Sequence, residues 1–453
     1  MKISKACFAA GLSAVSMMTV PVFAGVTPEE AGKLKTVLTP LGAERSGNKD
    51  GSIPAWTGTP TTGAEITQQG RRKDPFSGER PLYSVTIKNM EQHADKLTEG
   101  TKAVLKKYPE SFRLDVYKTH RTGIAPQWIY DQAAKNAVSA RLIEGGAGLQ
   151  PDSFYGAIPF PIPKNGLEVL WNSMLGWKPT DQLMGGRNYQ VTQDGKWILV
   201  ADVLVSASHP QLREGKQKEF DGEILKVRQQ TFGPAIRSGE GIVGREQLDA
   251  TKSNSWVYLT GQRRVRKLPN PCCDTPGPFS AGVASFDEVN TFNGRHDLFD
   301  WKLVGKKEIL IPYNTNRTLQ PAKDSDLFGP KHLNPDFVRW ELHRVWVVEA
   351  TLREGKRHTS PKSRYYFDED TWINVMGERY DASGTLARVP FVLPIHLSEV
   401  PATVATMWSV YDLIGGSSFV STLFNEKTDP QRPMPPFKDA FFTADAMAGE
   451  GVR

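Results

Sequence analysis

The sequence predicts an α+β fold, mainly β: a large curved antiparallel sheet preceded by helices and an extended N-terminal arm. Three observations carry this reading. Helical spacing of apolar residues is confined to the part of the chain before Met184. Beyond it, short alternating segments follow one another with turn residues between them, which favours antiparallel pairing. A run of strands this long must curl into a barrel or split into two layers to hide its apolar face and its edges. With 453 residues, 39% hydrophobic and 23% charged, the chain has the composition and length to bury such a core.

The elements follow in order. Lys2 and Lys5 precede an apolar stretch from Ala6 to Val20 and a small-residue exit at Val22-Phe23-Ala24, so residues 1–24 read as a secretory signal cleaved after Ala24. Its removal takes away two lysines and no acid, and the formal charge falls from +6 to +4. That mild excess gives no footprint for nucleic acid, and no later stretch is long and apolar enough to span a bilayer as a helix. Cys7 sits too early to be acylated, which argues against a lipid anchor and for a soluble periplasmic protein. Residues 25–150 form an arm with helices. Thr27-Pro28-Glu29-Glu30 is a capping box opening a helix to about Leu38. The segment to Pro81 is punctuated by Gly and Pro and has no periodicity. Asn48 and Asp50 are spaced like the start of a calcium loop, but the ligand run stops there and a turn is expected. Helices are expected over Asn89–Tyr108 and Pro126–Ile143, the second ended by Gly145-Gly146-Ala147-Gly148.

Residues 151–423 form the β-rich part. It opens on Phe154–Pro163, whose alternate prolines enforce an extended strip, and on a helix capped by Asn165 and Glu168. Asn188–Thr192 and Lys196–Val200 flank Asp194-Gly195, a strong hairpin signal. The clearest hairpin is Ser255–Leu268. A two-residue loop at Gly261-Gln262 pairs Thr260 with Arg263, Leu259 with Arg264, Tyr258 with Val265, Val257 with Arg266 and Trp256 with Lys267. One face then carries Trp256, Tyr258 and Val265, and the other carries Val257 and Leu259 with Arg264 and Arg266. Trp301–Ile311 is expected to repeat this hairpin with its turn at Gly305-Lys306. Arg344–Thr351, Tyr365–Phe367, Trp372–Val375 and Val389–Leu393 add further strands. Residues 424–453, with Pro430, Pro433, Pro435 and Pro436, read as a tail wrapping the surface.

Chemistry-bearing motifs are few. Gly239-Glu240-Gly241-Ile242-Val243-Gly244 has the spacing of a dinucleotide loop, but no strand precedes it and no βαβ unit surrounds it, so a flexible loop is expected. Nucleophile-elbow, zinc-protease and Walker signatures are absent. The eight histidines are scattered, with no close spacing to place two on one metal, and neither metal nor other cofactor is expected. Asp368 and Asp370 fall in a turn and are expected to be solvated. Adjacent Cys272 and Cys273 cannot staple distant elements, so stability must come from the core. The run Arg263, Arg264, Arg266, Lys267 suits either lipid phosphates or a solvated strand face, the latter preferred.

The aromatic supply of 11 Trp, 12 Tyr and 21 Phe, many on strands, suits a wide concavity for a hydrophobic ligand. Its candidate lining is Trp256, Tyr258, Val265, Trp301, Leu303, Trp346 and Trp372. At Leu38–Gly58, Phe154–Trp171, Trp256–Asn270, Phe292–Asn314 and Glu341–His358 the chain resembles the exported proteobacterial domain-of-unknown-function family 1329, described as outer-membrane-lipoprotein-sorting-like. The resemblance implies a relative of LolA and LolB: an unclosed antiparallel barrel with helices plugging its mouth and a cavity for acyl chains. It also implies a periplasmic carrier working beside a resistance-nodulation-division-type exporter and an outer-membrane protein, without catalytic residues. A carrier that exchanges a lipid-like ligand with envelope partners is therefore expected. The alternatives are an exported hydrolase of hydrophobic esters and a ligand-free structural adaptor.

Overall fold

A computed structural model describes residues 25–451, apart from 69, 144–145, 147, 263, 269–273 and 428–430. The secretory segment, the turn residue Arg263, Cys272 and Cys273, and most of the glycine-rich turn after Ile143 lie outside the described residues.

The first part of the chain supplies most of the helices: α1 (Pro28–Gly32), α2 (Glu99–Lys107), α3 (Gln127–Ser139) and α4 (Gly166–Leu175), with a small hairpin of β1 (Tyr83–Val85) and β2 (Leu114–Val116). The capping box at Thr27 forms as expected, with Glu30 N–H donating to Thr27 Oγ1 and Thr27 N–H to the Glu30 carboxylate. The expected helix over Asn89–Tyr108 is interrupted. A 3-10 segment, Met90–Lys96, gives way to extended backbone at Leu97, and Thr98 then caps α2 afresh through Thr101 N–H. The Thr98 side chain competes for the backbone there and stops one helix from running through.

Two meanders follow. The first is β3 (Asp181–Val191), β4 (Trp197–Ser208), β5 (Glu223–Gly233), β6 (Gly241–Gln247), β7 (Asn254–Leu259) and β8 (Arg264–Lys267). The second is β9 (Phe299–Pro312), β10 (Arg339–Leu352), β11 (Lys362–Asp368), β12 (Asn374–Tyr380), β13 (Leu386–Leu397), β14 (Ala402–Asp412) and β15 (Ser418–Leu423). Strand β15 pairs antiparallel with β3, so both meanders join into one sheet running from β9 to β8. The β1–β2 hairpin adds to the start of β10, where β2 pairs in parallel at Arg339–Trp340. Strands β8 and β9 do not pair with each other, and the sheet of the described residues remains open rather than closing into a barrel. The tail adds β16 (Arg432–Pro433) on β3 and a final helix, α5 (Ala444–Gly451), which packs on β6, β7 and β8.

The hairpin register read from the sequence holds for each described pair, from Trp256↔Lys267 to Leu259↔Arg264, and Arg264 and Arg266 are exposed. Two other expectations are corrected. Trp301–Ile311 is not a hairpin. It belongs to the single strand β9, which pairs with β10 along its whole length, and Gly305 at φ +134° sits in a bulge that opposes Val347 while Leu303 opposes Val348. Glycine is read there as a turn, but a 14-residue partner strand turns it into a bulge. Gly239–Gly244 is likewise no flexible loop, because Gly241–Gly244 pairs with β5 on one side and β7 on the other.

Helix α4 matters most for the site. Asn165 caps it, accepting from Glu168 N–H at 3.0 Å, and Gly166 lies so close to β9 and β10 that a Cβ would meet Val348 at 2.6 Å. That contact fixes the start of the helix on the sheet. At its other end Gly176 leaves helical geometry, with ψ at 155°, and the chain turns Trp177 and Lys178 inward.

Candidate ligand cavity

One face of β3–β6 borders a partly open cavity of about 360 Å³, within the size range of small-molecule sites. Register explains its apolar wall. Met184 pairs with Val205, Gln182 with Ala207, Ala207 with Val227, and Leu225 with Glu246, so these side chains share one face. Val404 and Ala405 of β14 and Ile373 complete the wall, and the end of α4 with the Val289–Asn293 loop covers it. Three non-glycine residues at positive φ, Asn290, Thr291 and Trp372, lie in that covering loop or beside Thr371 and Ile373, a concentration of backbone strain typical of functional rims.

Three ionisable side chains enter this apolar space. Lys178 Nζ donates back to the end of α4 at Met174 O, 3.1 Å away, and desolvation lowers its pKa to about 8 against the pull of Glu246. Desolvation raises Glu246 to about 6, partly countered by Lys178. His209 is pushed down to about 3 by burial and then by Lys178, and it stays neutral at physiological pH. Lys178 and Glu246 retain some accessible surface, yet both behave as desolvated groups because that surface faces the cavity. Among the described residues neither is joined to an opposite charge within 4.0 Å. Asn374, 4% exposed, also lines the cavity, and both polar atoms of its side chain lack a hydrogen-bond partner.

A second buried polar cluster lies along β10 and has the opposite character. His343, Asp368 and Asp370 bring one potential metal-ligand atom each within 4.8 Å of one another. The sequence reading expected both aspartates to be solvated. They are instead 0% and 2% exposed, because the turn carrying them folds back under the arm. Arg121 holds Asp370 with two bonds of 2.7 and 2.8 Å, and Lys306 holds Glu369 at 2.8 Å. Glu341 accepts from His120 N–H at 2.8 Å and from Asn314 at 3.1 Å. His343 sits between Glu341 at 3.1 Å and Asp368 at 3.4 Å. Burial works against its charge, but Asp368 and Glu341 outweigh it and raise its pKa to about 9. Arg121 occupies the position a cation would take beside Asp370, and Arg121, Lys306 and His343 offset much of the cluster's negative charge, while Asp368 Oδ1 is left without a hydrogen-bond partner among the described residues.

A serine–histidine contact also exists: Ser111 Oγ lies 2.9 Å from His332 Nε2. The other ring nitrogen faces the backbone carbonyl of Leu333 rather than a carboxylate, so the triad's orienting acid is missing from the pair.

None of the seven side chains chosen from the sequence lines the large cavity. Trp256, Tyr258 and Val265 pack together with Met447 of α5. Trp301, Leu303 and Trp346 pack against the cluster that holds Phe292, Phe299 and Trp372. Trp372 is wholly buried and its indole N–H donates to Leu41 O at 2.9 Å, pinning the arm. The residues that sequence reasoning missed are Lys178, His209, Glu246 and Asn374. One signal existed for Glu246, an acid in register with Leu225 on the face shared by apolar residues, but it needed the β5–β6 pairing to be known.

The fold and cavity together define a mixed α+β, open half-barrel protein with an internal pocket. The chain belongs to the family described as protein of unknown function DUF1329, whose model matches residues 84–448. It is 36% identical over 459 residues, covering 100% of both chains, to the uncharacterized protein PA3922 of Pseudomonas aeruginosa. Among solved structures it is similar to a DUF1329 family protein from Desulfovibrio piger, with a TM-score of 0.41 and 15% identity over 60% of this chain and 92% of that one. It is also similar to a putative outer membrane lipoprotein-sorting protein domain from Vibrio parahaemolyticus, with a TM-score of 0.44 and 11% identity over 62% and 98% of the two chains.

Proposed function

We propose that the protein is a periplasmic carrier that holds a lipid-like or other hydrophobic ligand in the cavity under β3–β6 and exchanges it with envelope partners. The observation that carries this reading is the cavity itself. A cavity of about 360 Å³ with an aliphatic wall beside a few polar groups has the size and make-up of a small-molecule site. The wall of Met184, Val205, Val227, Ile373 and Val404 offers an acyl chain about 0.8 kcal/mol per buried CH₂, and release then requires a second apolar environment. The end of α4 and the Val289–Asn293 loop are the covering segments whose displacement would open the cavity. The partners proposed for handover are a resistance-nodulation-division-type exporter and an outer-membrane protein.

The test is direct. Solvent extraction of the purified protein should release a lipid, and a fluorescent fatty-acid probe should bind and be displaced by it. Ala207→Trp fills the cavity from β4 and should weaken probe binding at least tenfold with the far-ultraviolet circular dichroism unchanged. Absence of co-purifying lipid, together with no binding of fatty-acid or sterol probes, would sink the carrier reading.

A further inference from the structure

The cavity's apolar wall accounts for a tail but not for the groups set into it. A buried amide ordinarily has hydrogen-bond partners, and opposite charges on the wall of one half-closed cavity ordinarily close into a pair. Here Lys178 spends one donor on Met174 O and keeps the others free, Glu246 has no hydrogen-bond partner among the described residues, and both amide atoms of Asn374 are unsatisfied. Lys178 and Glu246 sense each other electrostatically without closing into an ion pair. Nothing in the fold obliges them to stay apart through competing protein partners, as the charges along β10 are held. Two opposite, half-buried charges left open on the wall of one cavity form the complement of a ligand that carries both signs.

We propose, resting on the carrier reading, that the cavity takes a single-chain amphiphile with a zwitterionic head. Its anionic group faces Lys178, its ammonium faces Glu246, and its chain lies along Met184, Val205, Val227 and Val404. The volume sets the chain number: about 360 Å³ suits a ligand of drug-like size rather than a two-chain phospholipid. Both signs on the cavity wall set the head. A fatty acid would answer Lys178 and bring a second negative charge towards Glu246, and a neutral head would leave both charges unpaired. His209 is kept neutral beside Lys178 and so adds no competing positive charge.

The experiment compares three probes of equal chain length on the full mature protein: lysophosphatidylethanolamine, the free fatty acid and the monoacylglycerol. Binding is followed by the fluorescence of Trp177, which lines the cavity. The zwitterion should bind at least tenfold more tightly than the monoacylglycerol. Lys178→Met and Glu246→Gln should each reduce that ratio to within about threefold of unity. The ratio is the readout, so a general loss of stability does not imitate the effect. Equal binding of zwitterion and monoacylglycerol, or a ratio untouched by both variants, overturns the head assignment and leaves the carrier reading standing. A fatty acid that binds as tightly as the zwitterion and ignores Glu246→Gln overturns it as well. Failure of all three probes to bind the unmutated protein counts against the carrier reading itself.

Discussion

The cluster along β10 and the cavity under β3–β6 both place charged side chains in the interior, and they solve the desolvation problem in opposite ways. Along β10 the carboxylates of Glu341, Glu369 and Asp370 each meet a guanidinium, an ammonium or an imidazolium of the same chain. In the cavity Lys178 and Glu246 stand within electrostatic reach but unpaired, beside an amide without partners. The difference teaches that burial of charge alone does not mark a site. Satisfied charges hold the arm and the sheet together, whereas unsatisfied ones beside open volume point to a missing ligand.

The largest effect should come from breaking the satisfied cluster. Arg121→Met strands the buried Asp370 without its guanidinium, and a loss of about 3–5 kcal/mol is expected in chemical denaturation. A loss below about 1 kcal/mol would mean that the cluster is no scaffold.

Next in size is its pH dependence. The His343 pKa is raised to about 9, so its stabilising contribution is complete below the unfolded value near 6.5 and is lost as pH rises through 9. Unfolding free energy should therefore fall by about 2 kcal/mol between pH 6.5 and 9, and His343→Gln should flatten that part of the curve.

The hairpin gives a smaller, packing-based test. Trp256→Ala removes an indole that packs beside Tyr258 and Met447, and about 1–3 kcal/mol should be lost with probe binding unchanged. Weakened binding with normal stability would instead return this face to the ligand site.

The smallest effect is expected in the cavity, with the opposite sign. Burial lowers the Lys178 pKa to about 8, so the folded state disfavours the ammonium and stability is lost as pH falls from the unfolded value near 10.5 through 8. Lys178→Met should then raise stability at pH 7 by about 1 kcal/mol, discounted for the polar groups sharing the cavity. Destabilisation of similar size would show that Lys178 is structurally paired, and the contrast between the two regions would fail.

Much of the scaffold was legible beforehand. Alternation over Trp256–Lys267 gave the hairpin's register because side-chain period and turn length are local properties. Capping residues Thr27 and Asn165 marked two helix starts because the bonds they make span only three residues. Legibility ended where a distant partner decides. Gly305 has the local chemistry of a turn, and only the long pairing with β10 makes it a bulge. Asp368 and Asp370 have the local chemistry of a solvated turn, and distant partners make their burial tolerable: Arg121, some 250 residues earlier, for Asp370, and His343 on β10 for Asp368. The aromatic residues were plausible cavity walls by type, yet large flat side chains also fill cores well, and they pack against helices and the arm.

By itself, then, the sequence determined a strand-rich, helix-opened chain with one well-defined hairpin, because backbone propensity, caps and side-chain alternation act over a few residues. The joining of β15 to β3, the curvature that leaves a cavity, and the meeting of Lys178, His209, Glu246 and Asn374 around it were decided by tertiary structure alone. Their contact depends on strands hundreds of residues apart sharing one face, and no local pattern encodes which residues a curved sheet brings together.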